Sequence, residues 1–162
     1  MKLRKAELRD IEEITKIYDT GRMYMRSHGN LNQWINGYPS RQQIYQDIEA
    51  QDLYVVEEAE ELLGVFYFLV GHDPTYDVIY EGSWLNDEPY GVIHRIASAG
   101  KRRGIGLFCI DWAMERTDNL RVDTHKDNLT MQNMLISNGF SYCGIIICSD
   151  GTPRLAYQKT RR

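Results

Sequence analysis

The chain has 162 residues, 43% of them hydrophobic and 26% charged, an ordinary globular composition that excludes an intrinsically disordered protein. Its 19 basic and 23 acidic side chains give a formal charge of −4, which argues against general nucleic-acid binding because phosphates demand a basic face. Three cysteines (Cys109, Cys143, Cys148) are too few for a disulfide framework, so they read as reduced thiols of a cytoplasmic protein. No apolar h-region follows the charged start Met1-Lys2-Leu3-Arg4-Lys5, so no secretory signal is expected. The longest apolar run, Leu62 to Val70, is far short of the ~20 residues that cross a bilayer, and no membrane contact is expected.

Lys2 to Ala6 predicts a short, charged edge strand. Leu8, Ile11, Ile14, Ile17 and Tyr18 recur at helical spacing and predict a helix running toward Met25, with Asp10 and Glu13 as a capping box. His28 to Ser40 is a loop holding Gly29, Gly37 and Pro39. Ser40 with Gln43 reads as a second capping box, opening a short helix on Ile44, Tyr45 and Ile48. Leu53 to Glu57 and Leu62 to Val70 are apolar, β-branched and aromatic, and predict an antiparallel hairpin whose acidic tip (Glu58, Glu60, Glu61) belongs in water. Val78 to Trp84 and Tyr90 to Ala97 are two further strand candidates, separated by a loop with Pro89.

After Ala97 the period becomes helical. Ile105, Phe108, Cys109 and Trp112 share one face and Leu107, Ile110 and Met114 another, so this helix is expected to be largely buried. Leu120 to Val122 predicts a strand. Asp127-Asn128 precedes a helix bearing Met131, Met134 and Leu135, which Gly139 ends as a left-handed cap. Tyr142 to Cys148 and Arg154 to Tyr157 predict two closing strands around the turn at Asp150-Gly151. No repeat or linker interrupts the pattern, so residues 1–162 read as one α+β domain with mixed strand pairing.

The most informative segment runs from Ile93 to Gly106, a strand leading through a basic, Gly-rich turn into a helix. Gly104 and Gly106 let backbone amides approach a ligand, and the helix N-terminus adds partial positive charge. Lys101, Arg102 and Arg103 bring three cations to the same place, which suits a pyrophosphate; the alternative is a solvated charge run at a helix start. Two other phosphate motifs fail. A Walker A loop needs Gly-x-x-x-x-Gly-Lys-Ser/Thr, but Arg95 stands five residues before Gly100 and Arg102 follows Lys101. A Rossmann fingerprint needs a third glycine where Cys109 stands.

With these residues the chain resembles the GNAT superfamily of acyl-CoA-dependent N-acetyltransferases. Their signature Arg/Gln-x-x-Gly-x-Gly/Ala is matched from Lys101 to Gly106, with lysine in the first place. A second family stretch, Asn-x-x-Ala-x-x-x-Tyr-x-x-x-Gly-Phe, is matched at Asn128, Gly139 and Phe140, with Met131 and Leu135 in the two middle places. The resemblance implies α/β/α layers, with a mixed, mostly antiparallel central sheet flanked by about four helices. It also implies acetyl-CoA as co-substrate. Backbone groups of Ile96, Ala97 and Ser98 would pair with the pantetheine arm like an added strand. Lys101, Arg102, Arg103, Gly104, Ile105 and Gly106 would hold the pyrophosphate, and Asn128 would contact the cofactor from the next helix. Leu135 occupies the place where many relatives carry the tyrosine that protonates the departing thiolate.

That loss is survivable, because a thiol of pKa ~8.5 is a tolerable leaving group, whereas a lysine-like amine at ~10.4 must first lose a proton. A base matters more than an acid. Glu81 and His94 are the candidate catalytic residues, against the plainer readings of a paired surface carboxylate and a structural histidine. Asp123 and His125 alternate at a strand end, as a poised pair or as a loop anchor; Tyr142 is a substitute acid or a core residue. Gln33, Trp34, Tyr38 and Trp84 are candidate linings of an acceptor pocket, the alternative being a hydrophobic plug. No Cys-x-x-Cys or His-Glu-x-x-His spacing occurs, so no metal site is expected. The expected activity is acetyl transfer from acetyl-CoA to a primary amine of a small molecule or peptide, directly in a ternary complex, by a monomer or homodimer. The rivals are a non-catalytic acyl-CoA-binding or regulatory domain and, through the basic turn and the tail from Lys159 to Arg162, an RNA-associated protein.

Overall fold

The computed structural model describes residues 1–161; Arg162, the end of the basic tail, lies outside the described residues. Seven strands form one sheet in the order β1-β2-β3-β4-β5-β7-β6. They are β1 Lys2–Lys5, β2 Leu53–Glu58, β3 Glu61–Val70, β4 Gly91–Ser98, β5 Asn119–Thr124, β6 Ser141–Ile147 and β7 Pro153–Thr160. All neighbours are antiparallel except β4 and β5. The helices are α1 Ile11–Ser27, α2 Arg41–Glu49, α3 Ile105–Met114 and α4 Leu129–Ser137. None of these is long and apolar enough to cross a membrane.

The helices cover both faces. One core joins Phe66, Ile93, Leu120 and Val122 of the sheet to Cys109, Ile110 and Ala113 of α3 and Leu135 of α4. On the opposite face Ile14, Ile17 and Tyr18 of α1 and Ile44 of α2 pack on Val55, Val65 and Ala97. A third cluster on that second face gathers Tyr76, Tyr90 and Val92 with Ile146 and Ala156. The helix caps follow local chemistry. Asn128 Oδ1 accepts from the Met131 amide at 3.1 Å to start α4. Gly139, at φ +88°, ends it, with Phe140 N–H returning to Leu135 O and Gly139 N–H to Ile136 O.

Three expectations are corrected. Val78 to Trp84 is not a strand: only Tyr80 bridges Ile145 of β6, and Glu81 turns away at φ +54°. The segment touches the free edge of β6 at that one residue and does not extend along it; its aromatic residues instead cover the sheet face, Trp84 donating to Tyr76 O at 2.9 Å. The first capping box does not form at Asp10 and Glu13. Arg4 of the edge strand takes the Asp10 carboxylate in a two-point hydrogen bond (2.8 and 2.9 Å), and the Glu7 amide donates to it as well; a charged partner outcompetes a helix amide. Ser40 accepts from Gln43 N–H as expected, but the Gln43 side chain points onward to Asp47 instead of back.

A candidate acyl-transfer site where two strands part

The site is set by what happens to β4. Strands β4 and β5 pair in parallel only from Gly91–Leu120 to Ile93–Val122 and then separate. On the other edge, the β3 register jumps between Val65–Ala97 and Tyr67–His94, so Arg95 and Ile96 together oppose Phe66. This is a β-bulge, which bends a strand and re-aims its side chains. Arg95 sits at φ +50°, an unfavourable region for a residue with a Cβ, and it is held there from three directions. Its guanidinium bonds Asp47 of α2 twice, at 2.8 and 3.0 Å, and donates to the Tyr38 hydroxyl at 3.1 Å. Its carbonyl accepts from Tyr18 of α1 at 2.9 Å. The bulge and the parting leave the second half of β4 without a ladder partner toward β5.

A cleft of about 800 Å³ opens at that gap, lined by Ile96 of β4, Thr124 of β5, Asn128 and Met131 of α4, and the loop after α1. Gln33, Trp34 and Tyr38 are among its lining residues. Trp34 is mostly buried, packed edge-on against Tyr18 at 5.5 Å. Gln33 links the loop to α4, its Oε1 accepting from both Asn30 (2.9 Å) and Asn128 (3.1 Å). Trp84 is not in this lining; its ring is taken by Tyr76 and by the Arg121 guanidinium.

His94 lies at the floor of the cleft. Its Nε2 is 2.7 Å from Asp73 Oδ2, and its Nδ1 is 3.8 Å from Asp123 Oδ2, which accepts from the Tyr76 hydroxyl at 2.6 Å. Burial raises the Asp73 carboxyl, but the hydrogen bond and charge of His94 and the Thr75 amide together hold it below its ordinary value. Burial, then the nearby Asp123 charge, pushes the Tyr76 hydroxyl well above its ordinary value, so it stays a neutral donor. Glu81 is exposed in the Val78 to Trp84 segment and is absent from the lining, so the structure does not bring the two candidate bases together. Asp73 and Tyr76 are the members that sequence reading missed; the Asp73-Pro74 step, a turn-initiating pair, was the available signal.

Asp123 and His125 do not form a pair. His125 Nδ1 accepts from the Asp127 amide at 3.1 Å, anchoring the turn before α4. Burial, and then the Arg154 charge, push its pKa below the ordinary value. A histidine so lowered takes up fewer protons folded than unfolded as pH falls through about 6.5, so stability must decline on acidification. The melting temperature is therefore expected to drop between about pH 7.5 and 5.5. His125→Asn, which keeps an acceptor, should flatten that slope; thermal melts across the range check it. Tyr142 is half exposed on the edge strand, ring against Tyr157, and takes no part in the cleft.

Beyond the cleft, β4 leads into the basic turn. Ser98 Oγ accepts from the Gly100 amide at 3.1 Å. Gly104 precedes α3 at φ +83°, and the first intrahelical bond is Phe108 N–H to Gly104 O. The amides of Ile105, Gly106 and Leu107 thus have no helical acceptor, and they carry the positive end of the helix dipole. The acidic tip of the hairpin folds against this turn: Lys101 pairs with Glu61 and Arg102 with Glu58, and Arg103 is in neither pair. Exposed pairs of this kind are screened by water and contribute little, so an anion can displace them.

The similarity to solved structures decides the family. An acetyltransferase of the GNAT family from Streptococcus agalactiae superposes with a TM-score of 0.89 at 36% identity, over 99% of this chain and 95% of that one. The chain belongs to the GNAT family of acetyltransferases. A GNAT-family acetyltransferase from Listeria monocytogenes (22% identity, 98% and 94% coverage, TM-score 0.72) shares the fold with this acetyltransferase. So does the ribosomal-protein-alanine N-acetyltransferase from Brucella melitensis (18%, 99% and 99%, TM-score 0.65). No family model and no curated protein matches the chain. The seven-stranded mixed sheet with helices on both faces is the fold that the motif resemblance implies.

Proposed function

We propose that this acetyltransferase moves an acetyl group from acetyl-CoA to a primary amine of a small molecule or peptide, both substrates being bound together. The observation that carries the reading is His94, flanked by two carboxylates at the floor of the same cleft that the unpaired half of β4 lines. In this reading Ile96 to Ser98 offer the pantetheine arm a strand edge, and the amides from Arg102 to Gly106 meet the pyrophosphate. A backbone N–H near Ile96 polarises the thioester carbonyl. Asn128, whose side chain already caps α4, borders the arm from the other side.

The chemistry of the base follows from the distances. Nε2–H donates to Asp73, which fixes the tautomer that leaves the Nδ1 lone pair free. Nδ1 takes the amine proton directly or through one water, and the imidazolium formed lies between Asp73 and Asp123. The Asp123 separation of 3.8 Å is too long for a hydrogen bond, so that carboxylate acts by charge. Asp123 and Asp150 of the lining also favour a cationic acceptor; of the two arginines there, Arg95 is paired with Asp47 and Arg154 lies against Thr152. Cys148 borders the cleft, but burial, reinforced by Asp123, pushes its thiol up to about 11. It is protonated at neutral pH and a poor nucleophile, which supports direct transfer over an acyl-cysteine intermediate.

Calorimetry with acetyl-CoA and thiol release in the presence of polyamines, amino acids and lysyl peptides test the reading. Saturable binding with turnover of at least one amine is expected. Absence of binding at millimolar acetyl-CoA overturns it, and binding without turnover favours a non-catalytic acyl-CoA-binding or regulatory role.

A further inference from the structure

The geometry points to Thr124 as a further catalytic group of this acetyltransferase, its hydroxyl donating a hydrogen bond to the sulfur that departs when the thioester is cleaved. The inference rests on the acetyl-CoA reading above and deepens it. Thr124 ends β5, two residues beyond Val122, where pairing with β4 stops, and it borders the cleft. The residue is 1% exposed, and its Oγ1 has no hydrogen-bond partner among the described residues. A buried hydroxyl left without a partner is unfavourable, and a fold keeps one readily where a ligand supplies the missing contact. Its position is the mouth of the parting, where an arm lying along β4 brings its thioester past the end of β5.

The other polar groups of the lining are placed or engaged differently. Leu135 is wholly enclosed in the core between α3 and the sheet, so the body of α4 offers no hydroxyl there. The Asn128 amide is committed to the Met131 N–H and to Gln33. Thr152 donates to Asp150, Ser149 is exposed to solvent, and Tyr38 and Ser40, whose oxygens accept from Arg95 and Gln43, lie between α1 and α2 and not at the end of β5. Thr124 keeps its proton throughout. The amine nitrogen attacks the thioester carbon, an N–C bond forms as the C–S bond breaks, and the sulfur leaves with the bonding pair as a thiolate held by the Thr124 O–H. The amine proton goes to His94 or water.

The test reads the leaving group itself and needs no acceptor. CoA, the free-thiol product, is bound to the intact protein, and its thiol is titrated by thiolate absorbance in wild type, Thr124→Val and Thr124→Ser. Calorimetry measures the affinity of each variant for CoA. Loss of one hydrogen bond to a charged sulfur corresponds to about a tenfold change or more. The bound thiol is therefore expected to titrate about one pH unit higher in Thr124→Val, with CoA affinity unchanged at pH values where the bound thiol is protonated and about tenfold weaker where it is ionised, and Thr124→Ser restoring the wild-type curve. Equal titration in wild type and Thr124→Val overturns the inference while the acetyl-CoA reading stands. So does a loss of affinity without a change in titration, which marks a contact to the arm instead of the sulfur. Failure of wild type to bind CoA overturns the underlying reading and the inference with it. If Thr124→Val does not fold, Thr124→Ala against Thr124→Ser supplies the same comparison.

Discussion

Replacing His94 by glutamine is expected to lower kcat by about 10²–10⁴-fold, the usual contribution of a positioned general base, with little change in affinity for acetyl-CoA. Glutamine can still donate to Asp73, so the floor of the cleft keeps its shape while losing the group that accepts a proton. The effect should be largest for strongly basic amines, which are almost wholly protonated at neutral pH, and it should shrink at alkaline pH as free amine accumulates. Steady-state thiol release across pH, beside calorimetry on the same variant, separates the two quantities. Glu81→Gln is the companion measurement. Glu81 is exposed in the Val78 to Trp84 segment and outside the cleft, so the variant's kcat is expected to stay within about twofold of wild type, since surface substitutions away from a site have small effects. An unchanged kcat in His94→Gln would refute the assignment of the base.

The second large effect lies in the support of the site. Asp47→Ala is expected to cost about 3–5 kcal/mol, because it leaves the buried Arg95 guanidinium without its counter-charge. Asp47 is 5% exposed, and the Arg95 side chain, 14% exposed, is packed over the Tyr67 ring at 4.6 Å, so water replaces the carboxylate poorly. The pair does more than join α2 to the sheet. It pins the left-handed residue of the β4 bulge, so its loss should also blunt acetyl-CoA binding in protein that remains folded. Replacing both partners by well-packed apolar residues should recover much of the stability, yet binding should not return with it. Chemical denaturation of the single and double variants measures the first part, and calorimetry the second.

Much of this molecule is legible in its residues because the signals are local. The hairpin from Leu53 to Val70 shows in its β-branched and aromatic runs, α3 in its apolar periodicity, and the end of α4 in Gly139. The candidate phosphate turn is equally local: a glycine at a helix start and three neighbouring cations need no tertiary information. Trp34, Gln33 and Asn128 are found for the same reason, as unusual residues in a loop and at a cap. Glu81 and Trp84 are read less well, since a polar or aromatic residue in an apparent strand carries no mark of whether its segment runs along a sheet edge or across the sheet face.

What only the tertiary structure decided is how distant segments meet. The bulge at Arg95 depends on Asp47, 48 residues away, and Asp73 and Tyr76 of one turn and Asp123 of β5 converge on His94 from two separate segments. The acidic hairpin tip, which alone reads as a solvated end, is drawn onto the basic turn because the sheet order puts β3 beside β4. The sequence by itself therefore determined the family's motifs, the layered α+β class and a place for an anion, since short-range backbone and charge preferences settle those. The cleft, the His94 cluster at its floor and the unpartnered Thr124 hydroxyl arise from the parting of β4 and β5. That parting is a balance of long-range contacts to which no single stretch of the chain holds the key.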